Sequence, residues 1–221
     1  MKRLLLLRHA TTDHTGRRLS GWTPGIHLGG KGLDEARALA ERLAPVEIHA
    51  IYSSPLERCL QTAAAVADPR GLKVSVVEDL GEVRFGDWTG KDLGELARTD
   101  LWRTVQFHPS GARFPEGESI HEMQTRAVAA CERLRAAHPD QTVAVCSHAD
   151  VIKAVVAHYL GMHLDLFQRL VVTPASVTAL GFGPVPHLLR LSDSGTTRDL
   201  NPPPPEPPKQ PGTTEQDDAS A

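Results

Sequence analysis

Cysteine is sparse: Cys59, Cys131 and Cys146 are the only three in 221 residues. An odd number with no metal-type spacing offers neither a disulfide framework nor a thiolate metal site. Cys59 and Cys131 fall on apolar helical stripes and Cys146 in a strand-like run, so they read as small hydrophobes of a reducing cytoplasm. Long apolar runs are also missing. The leucines near the start are too few for a signal peptide's apolar region, and no uninterrupted stretch could span a bilayer. The expectation is a cytoplasmic chain with no membrane partner. Nor does charge of one sign dominate. The formal net charge is −3, and the segment from Asn201 to Ala221 carries all of it, with Glu206, Glu215, Asp217 and Asp218 set against Lys209. The remaining body is formally neutral, which disfavours a nucleic-acid partner. What is left is an ordinary globular composition, 40% hydrophobic and 23% charged, of one domain's length with room for an insertion.

Leu4-Leu5-Leu6-Leu7 reads as a short strand buried on both faces, because the run stops after one strand's worth of residues. Arg8 and His9 follow it. Ligands of an open α/β sheet bind beyond the carboxyl ends of its strands, so this strand would deliver a cation and a nucleophile to a crevice. Thr11 to Gly30 is a polar, glycine-containing loop. Leu33, Ala36, Leu39, Ala40 and Leu43 then recur at helical spacing, and Pro45 ends the helix. Ile48 to Ser53 is a second strand. Ser53-Ser54-Pro55 reads as a helix start, and Cys59, Leu60, Ala63, Ala64 and Ala67 form that helix's buried stripe. Arg58 sits beside the stripe in the first turn, where it opposes the helix dipole unless an anion is present.

Lys73 to Val77 is a third strand. From Glu78 to Glu118 the alternation of strand and helix lapses, and this segment holds Glu82, Phe85, Trp88, Trp102, Phe107 and Phe114. It reads as an insertion folded over the strand ends, its aromatics forming a small separate core. Ser119 and Glu122 have capping-box spacing at the head of a helix running to Ala137. Thr142 to Ser147 is a buried strand, and His148 follows it at the start of another helix, which stops at Gly161. Val177 to Phe182 and His187 to Leu191 form a terminal hairpin. The alternation predicts an α/β fold. Beyond Asp199, seven of the seventeen prolines lie between Pro202 and Pro211, which predicts a mobile acidic tail over 199–221.

Arg8-His9, Arg58, Glu82 and His148 therefore share one edge of one sheet. Two guanidiniums suit a tetrahedral oxyanion, since each gives paired charge-assisted hydrogen bonds. A histidine nucleophile needs one ring nitrogen free and the other donating to a backbone acceptor. A second histidine, if protonated, can hold equatorial phosphate oxygens. A carboxylic acid can protonate the leaving alkoxide and then take a proton from water. Of the remaining histidines, His14 and His27 are the candidates for the mouth of the site.

Four ordered motifs resemble the histidine phosphatase superfamily, also called phosphoglycerate mutase-like. They are Leu7-Arg8-His9-Ala10-Thr11-Thr12, Ser53-Ser54-Pro55-Leu56-Glu57-Arg58, Phe85-Gly86-Asp87-Trp88 and Ser147-His148-Ala149-Asp150. The stretch from Phe107-His108-Pro109 to Phe114–Ser119 is similar to a bacterial phosphatase-like subgroup. The resemblance implies a three-layer α/β/α sandwich with a largely parallel sheet, a domain over 1–193 with its insertion at about 78–118, and a phosphohistidine intermediate. It implies His9 as nucleophile, Glu82 as acid–base, and Arg8, Arg58 and His148 around the phosphate, with Thr12 and Thr15 as further phosphate contacts. No metal or organic cofactor is implied. Ala10 and Ala149 stand where glycine is usual, and a left-handed backbone at either would cost roughly 1–2 kcal/mol.

The function expected is hydrolysis of a small phosphorylated metabolite. A phosphoglycerate mutase-type transfer is the alternative, disfavoured because Arg84, Lys91, Arg98, Arg103 and Arg113 are dispersed along the insertion. A non-catalytic phospho-ligand binding module is a further alternative. The sequence sets no oligomeric state.

Overall fold

The structure, a computed structural model, describes residues 1–195; the predicted tail lies outside them. A six-stranded sheet has the order β3-β2-β4-β1-β5-β6. Strands β1 (Arg3–Arg8), β2 (Ala50–Ser53), β3 (Val74–Val76) and β4 (Thr142–Ser147) are mutually parallel. Strand β5 (Val177–Phe182) runs antiparallel to β1, and β6 (Pro186–Asp193) antiparallel to β5. The helices are α1 (Gly30–Leu43), α2 (Glu57–Ala67), α3 (Leu93–Leu96), α4 (Asp100–Phe107), α5 (Ile120–Ala137) and α6 (Ala149–Tyr159).

Successive strand residues face opposite sides, and the four leucines of β1 divide accordingly. Leu5 and Leu7 join Ile51, Ala144 and Cys146 under Leu39 of α1 and Ala63 and Val66 of α2. Leu4 and Leu6 join Val145 under Met123 and Ala127 of α5 and Ile152 and Val155 of α6. All four are at most 5% exposed. The result is the expected three-layer α/β/α sandwich, with a largely parallel sheet.

Several local expectations are corrected. The turn Ser53-Ser54-Pro55 does not cap α2; Leu56 is its N-cap, with no side-chain bond, and the Ser54 hydroxyl instead accepts from the Leu56 N–H at 3.3 Å. The buried face of α2 runs through Arg58, Thr62 and Val66, leaving Leu60 and Ala64 half-buried, because polar groups serving the site occupy part of the stripe. On α1, Leu33 points outward at 48% exposure. Gly32 is buried in its place, and it must be glycine because a Cβ there would lie 2.0 Å from the Thr11 carbonyl oxygen. Ser119 and Glu122 do form the capping box of α5.

The aromatic residues of 78–118 do not make a core of their own. Phe85, Trp88 and Phe114 lie in the same buried cluster as Leu4, Leu6, Met123 and Ile152. Phe114 meets Phe85 and Trp88 edge-on at 4.9 and 5.3 Å between ring centroids, and Trp88 stacks on Trp102 at 6.4 Å. Phe107, at the end of α4, is 79% exposed and outside the cluster. This segment is thus anchored by the core beneath it. Replacing Phe114, 2% exposed, by alanine should destabilise the whole domain by about 3–5 kcal/mol. Urea denaturation should show one cooperative transition at a lower midpoint; an early separate transition of the segment alone would contradict a shared core.

Candidate active site

Strand register assembles the site. Arg8 pairs with Ser147, and Ser53 with Cys146, so β1, β4 and β2 end side by side. The next residue of each is His9, His148 and Ser54. The His9 N–H donates to the Ser147 carbonyl at 3.0 Å, and the Ser54 N–H to the Cys146 carbonyl at 2.9 Å. The two imidazoles lie 5.3 Å apart between centroids. Their backbone settings differ: His148 is the N-cap of α6, whereas a loop, not a helix, follows His9.

Nδ1 of His9 lies 2.8 Å from the Ala10 carbonyl oxygen. A carbonyl only accepts, so Nδ1 carries the hydrogen and Nε2 keeps its lone pair. Arg58, 1% exposed, donates through Nη2 to the Gly21 carbonyl at 2.9 Å and toward Nδ1 of His148 at 3.3 Å. That leaves Nε2 of His148 to donate to the Ser54 hydroxyl at 2.9 Å. Arg8 donates through Nη1 to the Val172 carbonyl at 2.6 Å. Nε of Arg8, and Nε and Nη1 of Arg58, are buried without a hydrogen-bond partner among the described residues. Orphaned charged donors of this kind are costly in a protein interior unless an anion meets them.

Arg8, His9 and Arg58 line a cavity of ≈ 160 Å³ together with Thr12, Thr15, Glu82 and Asp150, whereas His148, fully buried against Arg58, is not on its wall. The threonines are on its wall as expected, but their hydroxyls lie 3.2 Å from one another, and Thr15 also accepts from the Thr12 N–H at 2.9 Å. Glu82 Oε2 is 3.6 Å from Nδ1 of His148. Neither Ala10 nor Ala149 has a positive φ, so alanine in place of the usual glycine costs no backbone strain. Of the two other histidines, His14 lines a larger adjoining cavity and His27 lines neither.

Burial, with Arg58 and Arg8 adding to it, pushes His9 down to about 3. The same causes, desolvation first and Arg58 next, hold His148 well below the ordinary histidine range. Burial followed by repulsion from Asp150 raises Glu82 to about 7. The site thus holds two permanent cations, two neutral imidazoles and one carboxyl poised near neutrality.

A sequence model of the "Histidine phosphatase superfamily (branch 1)" matches residues 4–192. The chain belongs to that superfamily. It is 32% identical over 185 residues to phosphoserine phosphatase 1 of Hydrogenobacter thermophilus, covering 81% of this chain and 86% of that one. It is also 32% identical to glucosyl-3-phosphoglycerate phosphatase of Mycolicibacterium vanbaalenii, covering 75% and 77%. The solved structure of Bacillus stearothermophilus YhfR superposes with a TM-score of 0.81 at 30% identity, covering 87% of this chain and 98% of that one.

In this histidine phosphatase, residues that the sequence did not single out hold the expected ones in place. Arg126 of α5 donates to the carbonyls of Asp79, Gly81 and Glu82 at 2.7, 2.9 and 2.8 Å and to both oxygens of Glu118. Trp22 Nε1 also donates to the Glu82 carbonyl, at 2.6 Å, and its ring abuts Gly81, where a Cβ would approach to 2.2 Å. The Glu82 carbonyl thereby receives two side-chain donors. Ser54 was legible only as a capping hydroxyl, and Arg126 only as a charge on an amphipathic helix. Arg126→Ala should cost about 3 kcal/mol, the low end for breaking a buried ion pair, because it strands the Glu118 carboxylate. Equilibrium urea denaturation tests this, and a change under 1 kcal/mol would contradict the clamp.

Proposed function

We propose that this protein hydrolyses phosphomonoesters of small metabolites through a phosphohistidine at His9. The observation that carries the reading is the free Nε2 of His9, its tautomer set by the Ala10 carbonyl, in a cavity where buried donors of Arg8 and Arg58 lack partners among the described residues. Those guanidiniums would hold the phosphoryl oxygens, with the hydroxyls of Thr12 and Thr15 as further contacts. Nε2 attacks phosphorus while the ester P–O bond breaks, and the Glu82 carboxyl gives its proton to the departing alkoxide oxygen. Water then attacks phosphorus, and the Glu82 carboxylate takes its proton. The P–N bond breaks, its electron pair returns to Nε2, and inorganic phosphate leaves. His148, neutral and fully buried, accepts from Arg58 at Nδ1 and donates from Nε2 to the Ser54 hydroxyl, and so would hold the Arg58 guanidinium in place for the phosphoryl group.

Small phosphorylated metabolites are also the substrates in the names of the two curated relatives above. Hydrolysis is favoured over a mutase reaction because cations of 78–118 are engaged elsewhere. Arg84 pairs with Glu78 and stacks over Trp22, Arg113 pairs with Glu122, and none of Lys91, Arg98 and Arg103 lines the cavity. Three unbridged thiols, with no helix of the described residues long and apolar enough to cross a membrane, support a cytoplasmic setting.

p-Nitrophenyl phosphate should be turned over by the wild-type protein, and acid-labile, base-stable phosphate should be trapped on it by rapid quenching. His9→Ala should lower turnover by at least about 10³-fold and abolish the trapped phosphate; a variant that still turns over at the wild-type rate overturns the nucleophile. Glu82 must be protonated for the first step, so with an alkyl phosphate kcat/KM should fall as pH rises through about 7. Its low value keeps His9 neutral well below pH 6.5, so no loss from that ring is expected near pH 6. A rate flat from pH 6 to 9 would remove Glu82 from the acid role.

A further inference from the structure

Beyond the phosphate cavity lies a second one of ≈ 500 Å³, whose polar wall includes Asp13, His14, Arg17, Arg18 and Asp92. Arg18 and Leu93 lie on the boundary, lining both. The strip bearing Arg18 is held by its backbone. The Arg17 and Arg18 N–H groups donate to the His14 carbonyl at 2.9 and 3.0 Å, the Leu93 N–H donates to the Arg17 carbonyl at 2.8 Å, and Arg18 forms a β-bridge with Asp92. Yet the Arg18 guanidinium has neither ion pair nor hydrogen bond among the described residues. Among the described residues Arg17 on the same wall is also unpaired, but of these two only Arg18 lines the phosphate cavity as well. Nδ1 of His14 is likewise buried without a partner.

On the phosphatase reading, Arg8 and Arg58 already meet the phosphoryl charge. Arg18 is then a third cation placed where the alcohol part of the ester must emerge. We propose that Arg18 binds a carboxylate on that alcohol part, so that the preferred substrates are phosphomonoesters of hydroxy acids. A guanidinium fork matches a carboxylate in two parallel hydrogen bonds. Asp13 and Asp92 on the same wall oppose larger polyanions and would tolerate an ammonium beside the carboxylate. The preference is therefore for one additional negative charge, with or without an amine.

The test compares kcat/KM for 3-phosphoglycerate and O-phosphoserine with that for glycerol 3-phosphate, which lacks the carboxylate. The wild-type protein should prefer at least one carboxylate ester. Arg18→Gln should lower that preference by about 10–100-fold, the loss expected for a hydrogen bond to a charged group, and Arg18→Lys should retain part of it. Faster turnover of phosphoserine than of phosphoglycerate assigns the acidic wall to an ammonium; the reverse assigns it to exclusion alone. Turnover of p-nitrophenyl phosphate with no carboxylate preference, or a preference unmoved by Arg18→Gln, overturns this inference and leaves the hydrolase reading standing. Failure to turn over any ester overturns the hydrolase reading itself.

Discussion

Two guanidinium groups kept in the protein interior without an ion-pair partner among the described residues are the constraint on which the site depends. Arg58 is almost wholly enclosed, and its one donating nitrogen is spent on a carbonyl and an imidazole. Withdrawing such a charge from water costs several kcal/mol. Apolar packing on both faces of the sheet, with Leu4 and Leu6 on one side and Leu5 and Leu7 on the other, supplies the opposing term. The same charges act on their neighbours. Burial first, and these charges after it, keep both imidazoles neutral, and neutrality is what a nitrogen nucleophile requires. Electropositive character and nucleophile are two results of one burial.

The carboxyl group answers to a different balance. Glu82 lies on a loop rather than at a strand end, and its neighbour Asp150 is also acidic. Desolvation and that second carboxylate outweigh the two arginines and place its titration near neutrality. Such a shift has chemical value only if the group stays put. The Arg126 and Trp22 donors both hold its backbone carbonyl, and Glu118 ties Arg126 to the adjoining Arg84 N–H at 2.8 Å. A mobile loop would let Glu82 move into water and return to the ordinary carboxylate range.

Ala10 and Ala149 show how a departure from a motif is weighed against geometry. Ala10 is fully buried, and its N–H donates to the Thr62 hydroxyl at 3.0 Å. Ala149 opens α6 with helical backbone. Neither place calls for left-handed φ, so small size is the relevant property and alanine supplies it. Where a side chain is excluded, at Gly32 against Thr11 and at Gly81 against Trp22, glycine is present.

Local physics was enough to read the strands, the helices and the order in which they alternate, since periodicity and the chain's turn residues act over a few positions. The same local signals showed that Arg8, His9, Arg58 and His148 fall at strand ends or first helical turns. They mislead where side-chain destinations are set from afar. Leu33 turns outward while Gly32 beside it packs against the carbonyl of Thr11, twenty-one positions before that glycine, and Phe85, Trp88 and Phe114 join the main core because α5 and α6 lie beneath them. Nothing near Arg126 in the chain announces a grip on residues 79–82, and Ser54 looks like a cap until β4 brings His148 to its hydroxyl. Residue types and their places along the chain were written locally. Their distances, tautomers and charge states came from strand register and desolvation, which exist only when remote segments exclude water together.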